Sequence, residues 1–216
     1  MYVPALPAPA APALAPISIV AGGQLGIAPP PVHTDLRVRA VQLNVLAEHQ
    51  ASVTGALLEG RRPGSAGRPV SLQEFAGRGW KTLAASRTRA GGRFRLTFMP
   101  REVGTHTVRV RFSGDATARP SHRPLGALNV YRLALASWYG GGGTMACGGA
   151  LTSSTLGVAN KTLPCGTLVT LRYGGRTVRV PVVDRGPYVE GREFDLTEAT
   201  KQALGFGGVG EVWSTS

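Results

Sequence analysis

Between residues 36 and 132 the chain alternates apolar and polar side chains with a period of two, and glycine or proline separates one run from the next. Phe94, Leu96 and Phe98 oppose Arg93, Arg95 and Thr97, and Val108, Val110 and Phe112 oppose Arg109 and Arg111. This period sets one face of a strand on a core and the other in water. Strands are predicted over 36–46, 52–59, 68–75, 80–88, 92–99, 105–112 and 127–132. Turn signals recur about every ten residues, which fits short antiparallel strands folded into a two-sheet sandwich.

Beyond residue 132 the pattern continues with strands predicted over 134–139, 168–173, 176–183 and 211–214. Gly174-Gly175 joins two of them as a two-residue hairpin turn. One helix is predicted over 195–204, with Asp195 as its N-cap, Glu198 in its first turn, Lys201 towards its end and Gly205 as its stop. Residues 1–34 instead mix alanine with proline, eight prolines falling within the first 31 positions. That composition forms neither helix nor ladder and predicts an extended tether. The expected division is a tether at 1–34, a sandwich at 35–132 and a second β domain at 133–216 that starts with almost no linker. The sandwich layout resembles bacterial immunoglobulin-like modules of surface proteins.

The charge sharpens this division. The net charge is +12, but residues from 133 onward hold seven Lys/Arg against six Asp/Glu, so the excess lies before them, almost all of it arginine. A basic first half suggests an anionic partner such as an anionic wall polymer. Nucleic acid is not expected, because basic residues interleaved with aromatics and any known binding motif are missing. The four histidines, His33, His49, His106 and His122, are scattered and none follows position 122, so neither a metal site nor a cofactor is expected. No apolar run reaches the roughly 18 residues of a membrane span. The first basic residue is Arg37, so a signal peptide with a charged start is absent from this sequence; a trimmed signal or a late start site is the expectation. Cys147 and Cys165 stand eighteen residues apart, which suits either one structural disulfide or two free thiols.

Chemistry concentrates in Val182-Val183-Asp184-Arg185-Gly186-Pro187-Tyr188 and in Gly191-Arg192-Glu193-Phe194-Asp195-Leu196-Thr197. An acid at the end of an apolar strand, locked by a Gly-Pro turn, is the type of group that acid/base chemistry requires. These two motifs, with Ala136-Ser137-Trp138-Tyr139-Gly140, Thr144-Met145-Ala146-Cys147-Gly148 and residues 157–167, resemble the double-psi β-barrel of the rare lipoprotein A family of septal-ring lytic transglycosylases. The resemblance covers about 80 residues. It implies a six-stranded double-psi β-barrel with one short helix, which, with the immunoglobulin-like β-sandwich expected from the strand pattern before it, makes the chain all-β. It further implies action on peptidoglycan glycan strands, cleavage of MurNAc–GlcNAc bonds to 1,6-anhydro ends, and a place outside the cytoplasm, in the cell wall or envelope. The cysteine pair resembles that of actinobacterial members, which implies a Cys147–Cys165 disulfide.

Carried over residue by residue, the resemblance makes Asp184 the general acid/base. The position before Lys161-Thr162-Leu163-Pro164, where the family has histidine, holds Asn160. Asparagine orients by hydrogen bonds but does not shuttle protons. Asn160 is therefore the expected second site residue, with catalysis resting on Asp184 or replaced by expansin-like loosening of glycan without cleavage. Arg185, Arg192, Lys161, Asp195 and Tyr188 are the expected substrate contacts. Arg185 and Arg192 suit a carboxylate fork, Tyr188 a barrel rim, and Trp138 a place in the barrel core.

Overall fold

The computed structural model describes residues 29–216, and most of the predicted tether lies outside the described residues. Residues 31–216 form one compact unit built around two hydrophobic cores. The strands are β1 (Thr34–Val41), β2 (Asn44–Leu46), β3 (Ala51–Glu59), β4 (Arg62–Pro63), β5 (Pro69–Ala76), β6 (Gly79–Arg87), β7 (Arg93–Phe98), β8 (Gly104–Phe112), β9 (Ser121–Tyr139), β10 (Val158–Ala159), β11 (Leu168–Tyr173), β12 (Arg176–Asp184), β13 (Phe194–Thr197) and β14 (Gly210–Ser214), with one helix, α1 (Glu198–Leu204), after β13.

The first core lies between two sheets. One has the order β1–β3–β7, with β4 folded onto the end of β3; the other has the order β2–β9–β8–β5–β6. Leu36, Val53, Leu57, Phe94 and Leu96 from the first sheet meet Val70, Leu72, Val110, Phe112 and Leu128 from the second. The predicted single strand over 36–46 is in fact two. β1 pairs antiparallel with β3, whereas β2 pairs parallel with β9 in the opposite sheet. The apolar residues at the end of that run hid the change of sheet, because both halves bury one face in the same core.

The second core is enclosed by a closed ring of six strands, β9–β13–β10–β12–β11–β14 and back to β9. β9 belongs to both halves. Its first part pairs with β8 and β2, and its last residues pair with β14 and β13, so the strands predicted at 127–132 and 134–139 are one strand of 19 residues. Leu128 and Val130 point into the first core, and Ala134 and Ala136 into the second. Between them Tyr131 is fully buried, packs 5.7 Å from Trp213 and donates its hydroxyl to Asn44 Oδ1 at 2.7 Å. Inside the ring Leu171, Phe194, Leu196 and Leu204 are fully buried, each removing apolar surface worth about 2–3 kcal/mol from water.

The helix begins later than its sequence suggests. Asp195 is a strand residue paired with Ala159 and Ser137, and the N-cap is Thr197, whose side-chain oxygen accepts from the Thr200 amide. Strand pairing on both sides of Asp195 outweighs its cap preference. Gly205 ends the helix in the left-handed conformation, its amide bonding the last-turn carbonyls. At the start of β10, Gly157 has no room for a side chain, because a Cβ there would stand 2.4 Å from Val183 Cγ2. Its amide and carbonyl are taken by the buried Thr197 and Thr200 hydroxyls, which ties the helix start to β10, the strand that pairs with the end of β12 where Asp184 stands.

Candidate active site

Three neighbouring strands bring the acids together. Ala159 on β10 pairs with Asp184 on β12 at one side and with Asp195 on β13 at the other, and Asp195 pairs in turn with Ser137 on β9. Residues in register across a sheet share a face, so Asp184, Asp195 and Ser137 emerge together around a small alanine. Tyr139 stands two residues beyond Ser137 at the end of β9, on the same phase of the strand.

Asp184 is held by its backbone surroundings. Its Oδ1 accepts from the Ala146 amide at 2.8 Å and from the Arg185 amide at 2.8 Å. Among the described residues no hydrogen bond reaches its Oδ2. One oxygen is therefore fixed and the other is left for chemistry. The loop carrying Ala146 is itself secured, with the Cys147 amide donating to the Val183 carbonyl at 3.2 Å. The disulfide implied by the resemblance is present between Cys147 and Cys165, and it joins this loop to residues 160–167.

Asn160 is buried, and its side chain serves the backbone. Its Oδ1 accepts from the Leu163 amide at 2.8 Å and the Thr162 amide at 3.0 Å, and its Nδ2 donates to the Glu193 carbonyl at 3.1 Å. Its own amide donates to the Asp184 carbonyl at 3.1 Å. The structure thus places Asn160 next to Asp184 as a loop anchor. Arg185 is likewise committed. Nη1 donates to the carbonyls of Asn160 and Leu163 at 3.0 and 2.8 Å, and Nη2 to Cys165 Sγ at 3.0 Å. Both terminal nitrogens of the expected fork are spent on the loop behind the site.

The other expected contacts are spread around the rim. Lys161 is exposed, Arg192 is half-buried and acts on Asp195 through its charge, and Tyr188 is 83% exposed. Trp138 does not enter the core; it is 40% exposed and lies under the Lys201 ammonium, 3.6 Å from the ring centroid.

Two groups, one beside Asp184 and one beside Asp195, were not singled out for acid/base work by sequence. The first is the Tyr139 hydroxyl, which is buried and, by distance and angle, makes no hydrogen bond. Burial foremost, then the charge and proximity of Asp184, then the charge of Asp195, hold its ionisation far above the ordinary phenol range. It therefore remains a protonated donor beside the acid. The second is Ser137, which donates to Asp195 Oδ1 at 2.7 Å. The signal for both lay in the period-two phase of Ser137 and Tyr139.

Burial raises the Asp195 pKa above 3.8, against the lowering effects of the Ser137 hydrogen bond and of Arg192. A carboxyl whose folded pKa is raised stabilises the fold only while it is protonated, so this contribution is lost as pH rises through the raised value. Asp195→Asn keeps an acceptor for Ser137 and removes that loss. The variant should melt like the wild type near pH 3 and higher than the wild type at pH 7, as followed by circular dichroism. A difference in melting temperature that is the same at both pH values would refute this account of Asp195.

The closed six-stranded ring, with an acid fixed at the end of one strand, defines the second half as a double-psi β-barrel. Residues 133–213 match the family described as lytic transglycolase, so the barrel domain of that family is present here. Two curated relatives are each named a probable endolytic peptidoglycan transglycosylase RlpA. The one from Aquifex aeolicus is 45% identical over 75 residues, 32% of this chain and 33% of that protein. The one from Synechocystis sp. is 40% identical over 85 residues, 36% of this chain and 26% of that protein. The chain thus matches about a third or less of the length of these relatives. Among solved structures, the Streptomyces papain inhibitor aligns with 39% of this chain and 91% of its own at 29% identity and a TM-score of 0.33. The BSP domain of a biofilm-associated protein aligns with 76% of this chain and 30% of its own at 14% identity and a TM-score of 0.28.

Proposed function

We propose that this chain is an exported lytic transglycosylase of the cell envelope that cleaves MurNAc–GlcNAc bonds in peptidoglycan, with Asp184 as its acid/base. The observation that carries the reading is the fixed Oδ1 and unoccupied Oδ2 of Asp184, within a barrel that matches the lytic transglycolase family. In its acid form Asp184 gives a proton from Oδ2 to the bridging oxygen as the bond to C1 breaks. The carboxylate then takes the proton of the sugar's C6 hydroxyl as that oxygen closes on C1. One C–O bond is exchanged for another, the proton passes from one sugar oxygen to the other, and no water is consumed. Tyr139 supplies a hydrogen bond to the carboxylate once it forms, a task for which its retained proton suits it. Asn160 and Arg185 hold the loop behind Asp184, while Tyr188, Trp138 and Arg192 face the glycan.

In this reading the expected division is kept, an immunoglobulin-like module at 35–132 and the barrel at 133–216 behind a tether at 1–34, with two adjustments: β1 begins at Thr34, inside the expected tether, and β9 runs through the boundary between the two halves. The strand order β1–β3–β7 over β2–β9–β8–β5–β6 supports the immunoglobulin-like reading, since neighbouring strands in each sheet come from distant parts of the chain. Among the described residues no helix is long and apolar enough to cross a membrane.

A second reading is favoured by Asn160, which stands where the resembling family has histidine and whose side chain is spent on the backbone. In that reading the barrel binds or loosens glycan without cutting it. Incubation of the full chain with purified sacculi, followed by mass spectrometry, separates the two. The transglycosylase releases muropeptides with 1,6-anhydro ends. Pelleting of the protein with sacculi and no soluble product would overturn the enzymatic reading in favour of the second.

A further inference from the structure

The outer face of the β1–β3–β7 sheet carries arginines on its two flanking strands and small residues on its middle strand. Arg37 on β1, Ala56 on β3 and Arg93 on β7 stand in one row, and Arg95 pairs with Thr54 two residues along. Arg93 and Arg95 are about 7 Å apart along their strand, and the two flanking strands about 10 Å apart across the sheet. Ser52 and Thr54 offer hydroxyls along the floor, and Ala56 is buried beneath the row. Beside β7, and without reaching Arg37, Ser52 or Thr54, a shallow depression of about 380 Å³ is lined by Arg89, Arg93, Phe94 and Arg95. Among the described residues Arg89, Arg93 and Arg95 make no ion pair, and Arg37 makes one exposed contact with Asp35 at 3.5 Å.

We infer that this face is a binding site for a linear phosphodiester polymer of the polyol-phosphate type, separate from the barrel and its acid. Planar guanidinium groups in open rows suit oxyanions, which they bind by two parallel hydrogen bonds. The spacing of fixed charges along β7 and across the sheet suits a ligand whose charges also repeat along a chain. The chemistry of the floor favours polyol phosphate over single-stranded nucleic acid. Binding of bare bases relies on exposed aromatic platforms, and here the one aromatic at the depression, Phe94, is 4% exposed and turned into the core. Hydroxyl-bearing serine and threonine suit a polyol between its phosphates. Such a site would fasten the chain to an anionic matrix while the barrel works on glycan, but it does not depend on the barrel's activity.

The test titrates the full chain with purified poly(glycerol phosphate) at several salt concentrations, using oligothymidylate as the comparison ligand. Three phosphate contacts predict a log–log salt slope of about −2 and an affinity loss of roughly 20-fold between 50 and 200 mM salt. Replacing Arg37, Arg93 and Arg95 together by glutamine should weaken binding at least about tenfold at 50 mM salt and flatten the slope. The control replaces Arg78, Arg101 and Arg123, all exposed and outside this face, and so removes the same charge. It should bind within about twofold of the wild type. Melting curves of both triple variants establish that each is folded. Equal losses in the two variants would show that overall charge, not this face, holds the polymer. Tighter binding of oligothymidylate through the same three arginines would assign the face to nucleic acid instead. Either result overturns the inference, and neither touches the outcome of the sacculus digest.

Discussion

Asp184→Asn should abolish the release of 1,6-anhydro-muropeptides from sacculi while leaving the barrel folded. Asparagine retains an Oδ1 that accepts from the Ala146 and Arg185 amides, so the two bonds that orient the side chain survive. The lost element is the oxygen that exchanges the proton. General acid/base catalysis by a positioned group contributes about 10²–10⁴-fold, and the loss in rate should fall in that range. Tyr139→Phe tests the supporting role. Its hydroxyl is buried and makes no hydrogen bond in the resting site, so its removal should not lower the melting temperature, and should raise it if anything, while lowering the rate about tenfold. An Asp184→Asn protein that digests sacculi at the wild-type rate would move the chemistry to another residue, and Asp195 would be next, since it shares the same row across the sheet.

The features legible in the sequence are those set by local pattern. Period two located the strands β3, β5, β6, β7 and β8 within a residue or two, because each buries one face and wets the other. The Gly174-Gly175 hairpin and the Gly205 helix stop follow from backbone demands that few other residues meet. The features that were not legible depend on partners distant in the chain. The change of sheet between β1 and β2, the fusion of two predicted strands into β9, and the strand state of Asp195 are all decided by pairing across tens of residues. The site divides in the same way. Asp184 stands out in sequence because its Gly-Pro turn is local. The tasks of Asn160 and Arg185 do not, because their partners are backbone carbonyls and amides that no side-chain motif reveals. The exposure of Trp138 was hidden by its size, which normally signals a core residue, and its cover is Lys201 from the helix rather than the barrel interior.

The disulfide links stability to the proposed chemistry, and its removal should affect both. The Cys147–Cys165 bridge closes a loop with a sequence separation of 18, for which chain-entropy reasoning gives about 3 kcal/mol. For a chain of this size, that corresponds to a fall in melting temperature of roughly 6–12 °C. The bridge also joins the segment that donates the Ala146 amide to Asp184 with the segment whose carbonyls receive Arg185. Replacing both cysteines by alanine should therefore lower the melting temperature by that amount. It should also slow product release more than Tyr139→Phe does, even at temperatures where the variant is fully folded, because the Ala146 loop would no longer hold Oδ1 in place. The bridge itself is checked by mass analysis, which should find the oxidised protein two hydrogens lighter than the reduced one. A double variant that melts within a degree or two of the wild type and digests sacculi equally fast would show that backbone hydrogen bonds alone, above all Cys147 to Val183 and Asn160 to Asp184, suffice to keep the acid aligned.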